Sequence, residues 1–201
     1  MKIIYFSDLL NSIKDIKTKS DLRDTILKFR KSLSKKDVDF MSDKIFNKFC
    51  SLEEIRSASK FMLYSDFRNE VATKKFINFL IKNNKEIYLP VTIKENKTLI
   101  PKRIFSIDDL NFGAYGILEP KDNAPSISPY ALDIVIVPGS VFDNSGFRTG
   151  YGGGYYDKFL SNSSAIKIGV CFDFQLVDTV FPEEHDKKMD IIITESKILK
   201  F

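Results

Sequence analysis

Residues 61–91 read FMLYSDFRNEVATKKFINFLIKNNKEIYLPV, and this stretch decides the class of fold. Phe61 to Ser65 is a short apolar run, residues 72–83 set Phe76, Ile77, Phe79 and Leu80 at helical spacing, and Glu86 to Val91 is a second run closing at Pro90. Short continuous apolar runs mark strands buried on both faces, and a helical period between two of them marks a parallel pair with a crossover helix. The stretch therefore reads as one βαβ unit.

The same alternation continues outward. Residues 20–33 carry Leu22, Ile26, Phe29 and Leu33 at spacings of 4, 3 and 4, an amphipathic helix introduced by Ser20 or Asp21 as cap, and a second helical stretch covers roughly 35–56. Leu132 to Val137, Ile166 to Phe172 and Asp190 to Thr194 are further apolar runs of the buried-strand kind. These predict a three-layer α/β domain with a mostly parallel sheet, whose sites lie at the carboxyl ends of strands. Asn123 to Pro129, with two prolines and two serines, reads as a surface loop.

A chain of 201 residues is long enough for one well-buried domain, and 43% hydrophobic with 29% charged residues is ordinary for a globular protein. The net charge of +4 is mild and dispersed, which argues against a nucleic-acid partner and suits an anionic small molecule. Cys50 and Cys171 are far apart and form no Cys-x-x-Cys pair, so neither a disulfide framework nor a zinc site is expected, and a reducing cytoplasm is. Met1 to Phe6 is apolar but too short for a signal sequence or a membrane span, so no targeting segment and no membrane contact are expected. Residues 1–18 read as an N-terminal extension whose role the sequence leaves open, ahead of a single domain over 19–201.

The stretch from Pro138 to Asp157 mixes glycines, Arg148, three tyrosines and two carboxylates between a buried-looking strand and a helix start. No packing requirement explains that mixture. Glycines let backbone N–H groups approach an anion closely, Arg148 offers a planar five-donor cation, and Asp157 falls about one turn into the following helix. A phosphate cradle with a carboxylate for a metal ion is the reading. The loop is not a P-loop, because Gly154 is followed by Tyr155 and Tyr156 where that motif needs Lys and Ser or Thr; nor is it a dinucleotide fingerprint, because Tyr155 stands where the third glycine belongs. At about 100° per residue, Lys19, Arg23 and Arg30 fall in one narrow sector beside the apolar stripe of their helix. On spacing alone such cations are a solvated rim. His185, the single histidine, sits among Glu184, Asp186 and Lys187 and reads as a solvated turn residue.

Gly-x-Arg-x-Gly-Tyr-Gly-Gly-Gly-Tyr-Tyr-Asp over 146–157, following Val-Pro-Gly-x-x-Phe-Asp over 137–143, resembles the signature of the 5-formyltetrahydrofolate cyclo-ligase family, also called 5,10-methenyltetrahydrofolate synthetases. Lys19-Ser20-Asp21-Leu22-Arg23, Glu70-Val71-Ala72-Thr73 and Tyr115-Gly116-Ile117-Leu118-Glu119-Pro120 are similar to further family elements, and Asp186 to Asp190 matches its second acidic segment. The resemblance runs from Lys19 over nearly the whole chain. It implies a Rossmann-like fold and an ATP-dependent cyclisation of 5-formyltetrahydrofolate to 5,10-methenyltetrahydrofolate, through a phosphorylated formyl group, with release of ADP and phosphate. It further implies ATP contacts from Lys19, Arg23, Arg148, Gly150, Tyr151, Gly152, Gly153, Gly154, Tyr155 and Tyr156. Folate contacts are implied for Tyr64, Glu70 and the same loop from Tyr151 to Tyr155, and a Mg2+ site for Asp157 and Asp190. The implied partners are small molecules, and the expected state is a monomer. Some relatives carry Arg and Lys where this chain has Tyr151 and Gly153, which leaves more of the phosphate chemistry to Arg148 and the metal. The alternative reading is a nucleotide- or sugar-phosphate-binding module of the same fold without ligase activity.

Overall fold

The computed structural model describes residue 9 and residues 12–201. Part of the extension read over 1–18, namely residues 1–8, 10 and 11, lies outside the described residues. Of the rest, Leu9 is buried in the main core, and Ile13 and Ile16 pack against it.

Two helices run from Lys19 onward, α1 (Lys19–Lys31) and α2 (Lys35–Ser51). Thr18 caps α1 and Ser34 caps α2, each accepting a hydrogen bond from the backbone N–H of an aspartate three residues on. The helical stretch expected over roughly 35–56 is interrupted: Leu52 takes an extended conformation, and a separate short helix α3 (Glu53–Ser57) follows. Leu52 and Ile55 are both buried, so the break lets the chain turn without exposing its apolar side.

The βαβ unit is present as β1 (Lys60–Met62), α4 (Lys74–Lys82) and β2 (Glu86–Ile93), with β1 and β2 parallel and Phe61 opposite Ile87. The strand expected over 61–65 ends at Met62, and the chain beyond it forms the loop that carries Tyr64 and Glu70. The other main strands are β3 (Thr98–Ile104), β6 (Ile134–Val137), β9 (Ile166–Val170), β11 (Ile191–Ile193) and β12 (Ile198–Lys200). They form one sheet in the order β12-β11-β9-β6-β1-β2-β3, parallel from β11 through β2 and antiparallel at both edges. The segment 123–129, read as a surface loop, runs along edge strand β3, with Arg103 N–H bonded to Pro125 O at 2.7 Å and Ile127 N–H to Pro101 O at 3.1 Å. It covers that edge.

Alternate strand residues feed two cores, which is what makes the domain three-layered. Phe61, Ile87, Ile134, Ile136, Ile168 and Ile191 face α1 to α4, while Met62, Tyr88, Val135, Val137 and Ile192 face the opposite side. That second side is covered by α5 (Tyr155–Leu160) and by Phe142 of a hairpin, β7 (Val141–Asp143) with β8 (Arg148–Thr149). Phe142 lies close enough to β9 that a Cβ on Gly169 would meet its ring at 2.5 Å, so only glycine fits there. Two small elements complete the fold: a ribbon of β4 (Leu110–Phe112) with β5 (Leu118–Pro120), and β10 (Leu176–Val177) beside β7.

Candidate active site

Strand β6 ends at Val137, and the chain then turns through Pro138 and Gly139 into the β7–β8 hairpin. Ser140 N–H donates to Thr149 O at 2.7 Å, closing the base of the hairpin. Its tip is held by Asp143, whose Oδ1 accepts from the N–H groups of Ser145 and Phe147 at 2.9 Å and whose Oδ2 accepts from Val180 N–H at 3.1 Å. Of the two carboxylates in the 138–157 stretch, Asp143 is thus spent on backbone donors; Asp157 is the one that faces a site.

The loop Gly150 to Gly154 lies beside α1. Gly152 has φ +92°, and a Cβ there would come within 3.2 Å of Arg23 Nη1. The positive φ is what calls for glycine here, and the guanidinium packs closely on it. Arg23 is otherwise bonded to Asp24 at 3.1 Å and to Ser20 Oγ at 2.9 Å. Lys19, one turn earlier, donates to Asp186 and lies 3.4 Å from Glu183. Partial burial would raise the Asp186 pKa, but the Glu183 N–H and the Lys19 ammonium outweigh it and hold the carboxylate below its ordinary value.

Arg148 is 3% exposed and donates from Nη2 to Asp157 Oδ1 at 3.1 Å. Its Nε is buried with no partner among the described residues, as is the hydroxyl of Tyr156, whose ring lies 5.7 Å from the guanidinium. Burial lowers the guanidinium pKa, opposed mainly by the charge of Asp157 and also by Asp186. A buried cation with an unsatisfied donor is a place for an anion. Asp157 also accepts from Lys187 N–H at 3.4 Å, which ties the 183–190 segment to α5.

A second cluster lies where the loop after β1 meets the glycine loop. Glu70 is 6% exposed; its Oε2 accepts from Phe67 N–H and its Oε1 from the Tyr151 hydroxyl, both at 3.0 Å. Burial pushes its pKa up to about 7, against the opposing charge of Arg30. Tyr151 is 44% exposed although its hydroxyl points inward, and burial beside Glu70 raises its pKa. Tyr64 is buried and donates to Val71 O at 3.1 Å, while Thr73 Oγ1 donates to Tyr64 O at 2.8 Å. Tyr155 packs over Gly153 and pairs its hydroxyl with that of Tyr115 at 3.0 Å, linking the loop to the β4–β5 ribbon.

The structure therefore brings Lys19, Arg23, Arg148, Asp157 and the glycine loop into one neighbourhood, and joins Tyr64, Glu70 and Tyr151 in the adjoining one. Asp190 is placed differently. Its carboxylate accepts from Lys167 N–H and from the Lys167 ammonium, both at 2.7 Å, at the amino end of β11. The aspartate of that segment that bonds Lys19 is Asp186, four residues earlier. Among the described residues no group of three or more His, Cys, Asp or Glu side chains is clustered as for a metal ion. His185 has a side chain 72% exposed, 3.5 Å from Glu183, in keeping with a solvated turn residue. Arg30, which helical spacing left on a rim, is 1% exposed and inside the site. No helix among the described residues is long and apolar enough to cross a membrane.

Comparison with known proteins gives a consistent result. The profile of the 5-formyltetrahydrofolate cyclo-ligase family matches residues 15–195. A 5-formyltetrahydrofolate cyclo-ligase of Haemophilus influenzae is 33% identical over 172 residues, covering 83% of this chain and 91% of the relative. That of Escherichia coli K12 is 28% identical over 174 residues, covering 84% and 96%. The solved structure of Aquifex aeolicus 5,10-methenyltetrahydrofolate synthetase superposes with a TM-score of 0.81 at 32% identity, over 90% of this chain and 92% of that one. A 5,10-methenyltetrahydrofolate synthetase from Mycoplasma pneumoniae gives 0.73 at 25% identity, over 88% and 98%.

Proposed function

The chain belongs to the 5-formyltetrahydrofolate cyclo-ligase family, and from that premise we propose how its site performs the reaction: closure of 5-formyltetrahydrofolate to 5,10-methenyltetrahydrofolate, driven by MgATP, with release of ADP and phosphate. The formyl oxygen attacks the γ-phosphorus and displaces ADP, the second folate nitrogen then attacks the activated formyl carbon and gives up its proton, and the bond from that carbon to the phosphorylated oxygen breaks as phosphate departs with that proton. An amide oxygen is a poor leaving group, and phosphorylation removes that obstacle. The protein's task is positioning and charge neutralisation.

The observation that carries this reading is Arg148: a buried guanidinium, held by Asp157 at 3.1 Å, with an unsatisfied Nε beside the loop Gly150 to Gly154. It meets the γ-phosphate together with the loop amides, while Lys19 and Arg23 bear on the rest of the phosphate chain. Tyr151, Tyr155 and Tyr156 wall the pocket. Tyr64 and Glu70 line its other half, where a buried carboxylate suits the donors on an amino-pyrimidine edge. This half, with its buried Glu70, favours the ligase over a bare phosphate-binding module.

For Mg2+ the donor chemistry fits. Asp157 and Asp186 each have one oxygen bonded, Oδ1 and Oδ2 respectively, and both face Arg148. An ion that takes most of its ligands from phosphates and waters needs no more than one or two carboxylates. When bound it withdraws charge from the β- and γ-phosphates. Asp157 and Asp186 would hold it; Asp190 joins them only by giving up Lys167. We place the protein in the cytoplasm as a monomer acting on small molecules, in line with its two free cysteines and dispersed charge.

Purified protein with 5-formyltetrahydrofolate and MgATP, followed by the near-ultraviolet absorbance of the methenyl product, tests the reading. ADP is expected one-for-one with product and only when both substrates are present. ATP hydrolysis independent of folate would overturn it.

A further inference from the structure

Arg30 is a residue of α1 whose guanidinium has left the helix surface for the interior, at 1% exposure. It donates from Nε to Arg68 O at 3.2 Å, from Nη1 to Gly139 O at 3.3 Å and from Nη2 to the Tyr151 hydroxyl, and its Cζ lies 5.6 Å from the Tyr151 ring centroid. Because the guanidinium can only donate, the phenol oxygen accepts from it, and the phenol proton is left for Glu70 Oε1. A directed chain results, from Arg30 through Tyr151 to Glu70, crossing from α1 to the glycine loop to the loop after β1.

We infer that Arg30 is a positioning residue: acting through Tyr151, it fixes the direction and the charge of the Glu70 carboxylate on which the substrate's donor edge docks. The inference rests on the reading above that Glu70 faces the folate.

A staple between loops would not need this residue. Taking a cation out of water costs several kcal/mol, and the carbonyls of Arg68 and Gly139 are as well served by a neutral amide. The positive charge does something only on the Nη2 arm, where it polarises a phenol that in turn donates to a buried carboxylate. The groups that face Glu70 are Arg30 from α1, Asp66 from its own loop, Tyr64 just past β1, Tyr151 from the glycine loop and Tyr156 from α5. Arg30 is the one cation among them. Asp66 and the burial both favour the neutral acid, and Arg30 with the Tyr151 and Phe67 hydrogen bonds opposes them. The balance leaves Glu70 titrating at about 7. Without Arg30 the site would hold a protonated, donor-bearing acid that repels the edge it is built to receive.

The test is a pH titration of the Glu70 side-chain carboxyl carbon by NMR in ligand-free protein labelled with 13C-glutamate, the resonance being assigned by its loss in Glu70→Gln. Arg30→Gln is expected to raise the midpoint by about one pH unit or more, since an opposite charge at this range is worth about one to three, whereas Arg30→Lys, which keeps the charge, stays near the parent. Tyr151→Phe breaks the chain without removing the cation and is expected to raise the midpoint as well. In turnover, Arg30→Gln should lower kcat/KM for formyl-folate at neutral pH, where half of the parent's Glu70 is ionised, about fivefold if the midpoint rises by one pH unit and about fiftyfold if it rises by two, and regain it in more alkaline buffer. Unmoved midpoints in Arg30→Gln and Tyr151→Phe, with a pH-independent loss of activity, would reduce Arg30 to a staple; if Arg30→Gln does not fold, Tyr151→Phe decides alone. A parent that fails to turn over formyl-folate overturns the proposed reaction instead, and does so in a separate assay.

Discussion

A glutamate that titrates at about 7 when folded, against an ordinary 4.5, makes stability depend on pH in the sense opposite to a salt-bridged acid. The folded state binds the Glu70 proton more tightly, so this contribution to stability is complete below about pH 4.5 and is lost as the pH rises through 7. Between pH 5 and pH 8 the unfolding free energy of Glu70→Gln should therefore gain on the parent by up to about 3 kcal/mol, measured by urea titration at each pH. Glu195, also raised to about 7 by burial, titrates in both proteins and cancels from the difference. A flat difference would mean that the folded site holds the Glu70 anion as comfortably as water does. Residues also show where sequence reading ran short. Helical spacing put Arg30 in the same sector as Lys19 and Arg23, but nothing in a period of 3.6 says that a neighbouring loop will close over one of three cations. Asp186 and Asp190 are both acids in one polar segment; only the fold shows that the second is occupied by Lys167 while the first meets Lys19.

On the proposed reading helix α1 serves both halves of the site, which gives the element its own test. Lys19 and Arg23, with side chains 21% and 23% exposed, stand over the half proposed to hold the phosphates, and Arg30 stands in the half proposed to hold the folate. Lys19→Ala and Arg23→Ala should each raise the KM for ATP about ten- to hundredfold, the size of a charge-assisted contact of roughly 1.5–3 kcal/mol, while leaving the KM for formyl-folate near the parent's. Steady-state kinetics with each substrate varied in turn checks this, and unchanged ATP dependence in both variants would return the pair to a solvated rim. The elements with long, one-period patterns were legible: α4 and the buried strands β6, β9 and β11 lie within the stretches that spacing and apolar runs mark, and α1, β1 and β2 overlap theirs, starting one residue early at Lys19 and Lys60 and, for β2, running two residues on to Ile93. The antiparallel edges β3 and β12 were not, because Thr98–Ile104 mixes Pro101, Lys102 and Arg103 with its apolar residues and Ile198–Lys200 is only three residues long. The β7–β8 hairpin was hidden by its brevity, since strands of three and two residues are too short to show a period.

At the scale of the molecule, the sheet order explains why the two proposed half-sites lie side by side. From β1 the chain winds outward to β2, and from β6 it winds the other way to β9 and then β11, so neighbouring strands β1 and β6 form the point at which the winding reverses. Loops leaving the carboxyl ends of two such strands part from each other and leave a crevice. The β1 loop delivers Tyr64 and Glu70, the β6 loop delivers Arg148, the glycines and Tyr151, and the Tyr151–Glu70 hydrogen bond spans the two. Each substrate should therefore clamp the fold from its own side of the crevice. A ligand at a hundredfold excess over its Kd stabilises the state that binds it by about 2.7 kcal/mol, which for a domain of this size is a rise in Tm of roughly 5–10 °C. Measured by thermal unfolding against each protein's own ligand-free Tm, Glu70→Gln should lose most of the rise given by formyl-folate and keep the rise given by MgATP. Arg148→Gln should show the reverse. If either substitution abolishes both rises while the ligand-free Tm stays near the parent's, the crevice acts as a single subsite, and the division of the site between the β1 and β6 loops is wrong.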